Sequence, residues 1–268
     1  MHFLISRANR IGNRSTNQDR ATVFVKDHAV LLVLGDGLGG QPGGDLAAEC
    51  LVQTASDYFN QQAFPIKQPA RFLQELIILA HEGINTIGRQ QSPPITPGTT
   101  AVLCLLQGGH AWWCHVGDSR LYLFRPGEPH IRTLDHSVAE NLIQGGELDA
   151  DQLRNHPKRH IVTRCLGITN NTPVPSISSS MPLQQGDIIL LCSDGLWEPL
   201  TEEYIANTIL SDHLHEALNT LSEQAELLRR PQSDNISAVA IQIKSLAPKT
   251  QDDVVTQGDH ISTKTGMD

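Results

Sequence analysis

Two short runs of strand character, 22–25 and 29–34, open the readable pattern of the chain, joined by a turn at Lys26-Asp27-His28. A connection that short predicts antiparallel neighbours. Beyond a glycine-rich turn at 39–44 the apolar spacing becomes helical and places Leu46, Ala47, Cys50, Leu51, Thr54, Ala55 and Tyr58 on one face. A second helical stretch over 70–89 turns Phe72, Leu73, Leu76, Ile77, Leu79 and Ala80 inward. Strand pattern resumes at 99–106, 111–116 and 121–124, separated by Gly108-Gly109 and by Gly117-Asp118-Ser119-Arg120, so the three read as a meander. An irregular, partly helical stretch at 136–172, rich in Gly, Asn and His, is a candidate for a segment over a site. Strands near 174–178 and 187–192, helices near 202–210 and 215–228, and a last strand at 236–243 complete the pattern.

Strands, two helices, strands, two helices and a final strand do not make a regular βαβ alternation. The packing that buries every apolar face is α+β, a four-layer αββα sandwich of two mainly antiparallel sheets flanked by helix pairs. From about Leu246 the chain becomes polar and too poor in apolar residues to pack. The expected division is a folded domain over 1–245 and a disordered polar tail over 246–268.

Composition narrows the function classes. With 268 residues, 39% hydrophobic and 18% charged, the chain can bury a sizeable core, and no apolar run reaches the ~18 residues a membrane span needs. The first seven residues lack the charged start and long apolar region of a secretory signal, so a cytoplasmic protein without a membrane partner is expected. A net charge of -9 argues against nucleic acid as a partner and suits a site that gathers cations. The five cysteines show no C-x-x-C spacing and read as reduced structural thiols, and the 12 histidines show no zinc spacing.

Candidate chemistry lies where apolar runs end. Asp36 follows 30–35, Asp194 follows 188–193, and Asp234 precedes 236–241. A carboxylate at the edge of an apolar interior is costly unless something cationic holds it, so three such edges suggest a shared site for hard divalent ions with oxygen ligands. Gly35-Asp36-Gly37-Leu38-Gly39-Gly40 also fits the spacing of a dinucleotide-binding turn, but Asp36 would point negative charge at a pyrophosphate and a hairpin precedes it. A plain tight turn is the other reading, since glycines serve any sharp reversal. Arg14 can offer a planar fork to phosphate oxygens, and Asp19 can supply a further carboxylate.

Taken in order, Arg14-Ser15-Thr16-Asn17-Gln18-Asp19, Asp36-Gly37-Leu38-Gly39-Gly40, Gly98-Thr99-Thr100-Ala101, Val116-Gly117-Asp118-Ser119-Arg120, Ser193-Asp194-Gly195 and Ser233-Asp234-Asn235 resemble the motifs of the metal-dependent serine/threonine protein phosphatases of the type 2C family, in particular its compact bacterial members. The resemblance covers about residues 1–244. It implies two Mn2+ or Mg2+ ions, with Asp36 bridging them, Asp194 and Asp234 on the first, and Asp19 and Gly37 on the second. It further implies that Asp118 can hold a third, weaker ion together with Asp194, that Asn235 orients the site, and that Arg14 and Asp36 serve catalysis, with Arg14 on the substrate phosphate. The implied reaction is hydrolysis of phosphoserine and phosphothreonine on proteins by a metal-activated water, without a covalent enzyme intermediate. Phosphoprotein partners are implied, among them a bacterial serine/threonine kinase or its substrates. Two departures stand out. Leu38 follows Asp36-Gly37 where many relatives carry a histidine nearby, which leaves the general acid unassigned, and Gln18 stands where some relatives have a glutamate. The stretch 141–164, with Gly145-Gly146 and His156 to His160, corresponds to a variable flap expected to govern substrate choice. The competing class is a catalytically silent module that binds phosphoproteins, which would be expected to lack one or more of these carboxylates.

Overall fold

The computed structural model describes residues 1–39, 42–147, 158, 161–169, 171–210 and 213–246. Its first sheet has the order β1-β13-β12-β7-β8, built from β1 (His2–Arg10), β13 (Ile236–Ser245), β12 (Ile188–Cys192), β7 (Arg120–Phe124) and β8 (Ile131–Arg132). The second has the order β10-β6-β5-β3-β2, from β10 (Ser176–Ile177), β6 (His110–Val116), β5 (Ala101–Gln107), β3 (Ala29–Asp36) and β2 (Asp19–Lys26), with β11 (Met181–Pro182) also on β6. Every pairing in both is antiparallel. A small pair, β4 (Gly98–Thr99) with β9 (Leu166–Gly167), stands apart.

The two sheets stack face to face because their strands are apolar on both sides. In β3, Val30, Leu32 and Leu34 point into the layer between the sheets and meet Leu121, Ile189, Leu191, Val239 and Ile241 there. Alternate residues Leu31 and Val33 point the other way, onto Leu51, Phe59, Leu73 and Ile77 of helices α1 (Gly44–Asn60) and α2 (Pro69–Gln90). The first sheet repeats the scheme, with Tyr122, Leu190 and Ala238 covered by Ile205, Leu218 and Leu221 of α5 (Glu202–Ile209) and α6 (Leu214–Arg229). Four layers and three apolar interfaces result, as the pattern predicts. Removing one fully buried leucine side chain from such an interface costs about 2–5 kcal/mol.

Local expectations fail in places with identifiable causes. β1 is not predicted, because at a sheet edge it is buried only in alternation and carries Arg7, Asn9 and Arg10 among its apolar residues. The meander also fails: β5 and β6 pair, but β7 lies in the other sheet between β12 and β8. Residues 117–119 are therefore a crossover between sheets and not a hairpin. Gly117 makes it with φ +106, in a place where an added Cβ would meet Thr100 Cγ2 at 2.7 Å. Leu46 and Leu79 sit at helix margins, 39% and 40% exposed, while Ala48 and Phe59 take the inward places on α1. In the region expected to be irregular, α3 (Val138–Gln144) is capped by Ser137, whose hydroxyl accepts from the Glu140 amide. His156 and His160, and the expected tail from 247 onward, lie outside the described residues. All five cysteines are unpaired, and four of them are buried.

Candidate active site at one end of the two sheets

Antiparallel pairing carries five aspartates to the same end of the sandwich. Asp19 begins β2 and Asp36 ends β3, directly across from it in the ladder. Asp194 follows the end of β12 as the first residue of the short helix α4 (Asp194–Trp197), Asp234 stands two residues before β13, and Asp118 lies in the crossover from β6 to β7. Five segments remote in sequence thus contribute one carboxylate each.

Their electrostatics show that they share a neighbourhood. Asp19, 1% exposed, has its carboxyl pushed up to about 6, chiefly by burial and partly by the Asp234 charge, against hydrogen bonds that lower it. Asp36 and Asp194 keep some exposed surface, yet both carboxyls lie well above the usual range, first from burial and then from surrounding charge. For Asp36 the charges are those of Asp19, Asp194, Asp118 and Asp234; for Asp194 they begin with Asp118 and Asp234. Asp118 is pushed up to about 7 by burial and by Asp135. Carboxylates that raise one another's pKa favour a cation among them. Among the described residues no three His, Cys, Asp or Glu side chains are placed so as to hold an ion by themselves. A shell completed by water and backbone oxygen suits Mg2+-like ions, which dehydrate reluctantly.

Neighbouring groups hold these aspartates in place. Ser193 Oγ donates to Asp19 Oδ2 at 2.8 Å and accepts from the Ser237 amide at 3.0 Å, tying β2 to the ends of β12 and β13. Around Asp36, the backbone amide donates to Thr100 Oγ1 at 3.0 Å, and Thr99 Oγ1 donates to the Asp36 carbonyl at 3.0 Å. Gly37 is required by a close approach: its amide donates to the Gln18 carbonyl at 3.1 Å, and a Cβ would stand 2.4 Å from the Gly44 carbonyl carbon and oxygen at the start of α1. Asn235 fastens the loop that carries Arg14. Its Oδ1 accepts from the Gln18 amide at 2.9 Å, and its Nδ2 donates to the carbonyls of Ile11 at 2.9 Å and Thr16 at 3.1 Å. Arg14 itself is exposed and donates to Asp234 Oδ2 at 2.7 Å. Asp118 is set by its backbone, whose carbonyl accepts from Trp197 Nε1 at 3.0 Å, while the Trp197 ring lies 3.4 Å from the guanidinium of the buried Arg120.

Sequence reasoning did not single out Ser193, Trp197 or Arg120 for these roles. Ser193 sits inside the Ser193-Asp194-Gly195 motif, so its proximity was visible; its bond to a residue 174 positions away was not. A cleft of about 490 Å3 opens beside the aspartates, lined by Arg14, Asp194, Asp234, Glu198, Arg229 and Arg230 among others.

The fold and this end of it define a class, the serine/threonine protein phosphatases of the 2C type, as known proteins show. The serine/threonine phosphatase stp of Listeria monocytogenes serotype 4b is 29% identical over 254 residues, which cover 92% of this chain and 97% of the relative. The serine/threonine phosphatase of S. agalactiae superposes with a TM-score of 0.81 at 28% identity, covering 91% of this chain and 100% of that one. The catalytic domain of the serine threonine protein phosphatase PstP, solved in complex with 2 manganese ions, superposes with a TM-score of 0.73 at 25% identity, covering 91% and 99%. The profile of protein phosphatase 2C matches residues 8–233, and the chain belongs to that family.

Proposed function

We propose that this chain hydrolyses phosphoserine and phosphothreonine on proteins, using divalent ions held at the aspartate cluster. The observation that carries the reading is the convergence of the Asp19, Asp36, Asp118 and Asp194 carboxyls from separate segments, all raised first by burial, with Asp36 and Asp194 raised further by the charges of the other site aspartates. In this reading two ions would be held with Asp36 shared between them, Asp194 and Asp234 serving one and Asp19 and the Gly37 carbonyl the other, and Asp118 with Asp194 would offer a weaker third place. The all-oxygen donor set fits Mn2+ or Mg2+. The PstP structure with manganese supports the choice of metal by similarity. Bound ions of this kind supply water activated for attack on phosphorus near neutral pH.

The chain's own residues do the rest. The Asp19 carboxylate is held by Ser193, and Thr99 and Thr100 fix the backbone that carries Asp36, so both positions are set before substrate arrives. Arg14, paired with Asp234 in the structure, stands where its remaining N–H groups can bind the phosphoryl oxygens of a substrate. The phosphoprotein substrates include a bacterial serine/threonine kinase or the proteins that it phosphorylates, as the resemblance implies. Among the described residues no helix is long and apolar enough to cross a membrane, and a cytoplasmic place is part of the proposal. So is the division into a phosphatase domain over 1–245 and a tail over 246–268. The test is hydrolysis of p-nitrophenyl phosphate and of a phosphothreonine peptide after chelator treatment, with and without added Mn2+. Activity that returns with Mn2+ supports the reading; a folded protein inactive under both conditions is instead a binding module.

A further inference from the structure

The cleft beside the aspartates extends past them, along α4 and the turn that leaves α6, to a second wall made by Arg229, Arg230 and Gln232. We propose that Arg229 and Arg230 form a subsite for a second anionic group on the substrate, a carboxylate or another phosphate next to the phosphoserine or phosphothreonine in the peptide. The inference rests on the phosphatase reading and adds to it the chemical class of substrate preferred.

Three observations support it. Each guanidinium is braced by a carboxylate: Arg229 Nη2 lies 3.1 Å from Oε1 of Glu198, itself on the cleft wall, and Arg230 Nη2 donates to Glu226 Oε1 at 2.8 Å, while Arg10 holds the other oxygen of Glu226. A guanidinium has five N–H donors, so one such brace leaves others for a planar carboxylate or a phosphate. Arg229, in the last turn of α6, would by itself be accounted for by the negative end of the helix. Arg230 lies beyond the helix and is not. Second, the turn is fixed by its backbone, with the Gln232 amide donating to the Arg229 carbonyl at 2.7 Å, so the two side chains are presented from a defined position. Third, charge in the cleft is balanced as it stands, Asp194, Glu198 and Asp234 against Arg14, Arg229 and Arg230. Divalent ions taken up at Asp194 and Asp234 tip that balance to positive, and an anion is then favoured on the arginine wall. The volume, about 490 Å3, falls within the ~300–1,000 Å3 usual for ligand pockets and leaves room beside a phosphorylated side chain.

The experiment compares kcat/KM, with Mn2+ present, on three phosphothreonine peptides whose neighbouring residues on both sides are alanine, glutamate, or a non-hydrolysable phosphonate analogue of phosphoserine. Expected for the unmodified protein is a preference of about tenfold for at least one anionic peptide over the alanine peptide, as a charged hydrogen bond supplies. Which of the two is favoured tells carboxylate from phosphate. The preference should fall to about one in R229Q/R230Q, and by at least half in R230Q, which changes only an exposed side chain beyond the helix and serves if the double variant does not fold. Equal rates on all three peptides, or a preference that survives in R230Q and in the folded double variant, overturn the subsite while leaving the phosphatase reading intact. No Mn2+-dependent hydrolysis of any peptide overturns the phosphatase reading, and the subsite falls with it.

Discussion

Asp19 and Asp36 face each other directly across the β2–β3 ladder, one opening its strand and the other closing its own. Two like charges in adjoining strands destabilise the ladder unless something offsets them, and here three further aspartates add to the repulsion at Asp36. The arrangement makes sense as a site where stability is sacrificed for cation binding.

Asp36→Asn should therefore have two opposite effects. It should abolish nearly all Mn2+-dependent phosphatase activity and at the same time raise the melting temperature of the metal-free protein, by about 2–4 °C for each ~1 kcal/mol of repulsion relieved. Activity assays and thermal unfolding in chelator check both. A variant that is less stable in chelator would contradict the electrostatic account.

Asn235→Ala removes three side-chain hydrogen bonds that fasten the 11–18 loop to the start of β13. The buried polar groups left behind should cost about 1–3 kcal/mol in stability. Because the same loop carries Arg14 and leads into Asp19, Mn2+ affinity should drop by about 10–100-fold, the usual effect of losing a supporting partner. Urea unfolding and metal titration measure the two separately.

Much of this was legible in the sequence because the strands between the layers are apolar on both faces: 30–34 and 188–192 stand out as unbroken runs and 236–241 as one interrupted only by Ser237, and the site aspartates mark their ends. Two kinds of feature were not. β1 is an edge strand whose pairing with β13 supplies what its own pattern lacks, and the turn at 117–119 is indistinguishable by composition from a hairpin although its strands go to different sheets. The supporting bonds to the site, such as Ser193 to Asp19 and Asn235 to Gln18, join residues 174 and 217 positions apart, a separation no local pattern reports.

Arg120 offers a test of how the crossover is held. It is buried, pairs with Asp135 through two nitrogens at 2.8 and 2.7 Å, and stacks on Trp197, which in turn fixes the Asp118 carbonyl. Arg120→Ala leaves Asp135 buried without its partner and should cost about 3–5 kcal/mol. Replacing both residues with apolar ones of similar volume should cost less than the single change, which equilibrium unfolding of the three variants will show.

The pH dependence follows from the elevated carboxyls. Folding raises Asp19 to about 6 and Asp118 to about 7, so between the ordinary value of 3.8 and these values the folded metal-free protein holds protons that the unfolded chain has released. Its stability from these groups is present below about pH 4 and is lost as pH rises through 6–7. His136 acts in the other direction. Burial, with His115 and Arg164 nearby, lowers its imidazole to about 3, so its contribution is present above 6.5 and is lost as pH falls toward 3. Metal binding separates the two, because ions displace protons from the carboxyls only. Mn2+ titrated at pH 6 into buffers of different ionisation enthalpy should release protons, and the apparent affinity should strengthen from pH 5 to 7.

Calorimetric titration of Mn2+ into the chelator-treated, folded protein tests the central claim most directly. Uptake of about two ions per chain, lost in Asp36→Asn while circular dichroism stays unchanged, is the result this account expects. No heat of binding from folded protein, or equal uptake by the variant, would contradict it.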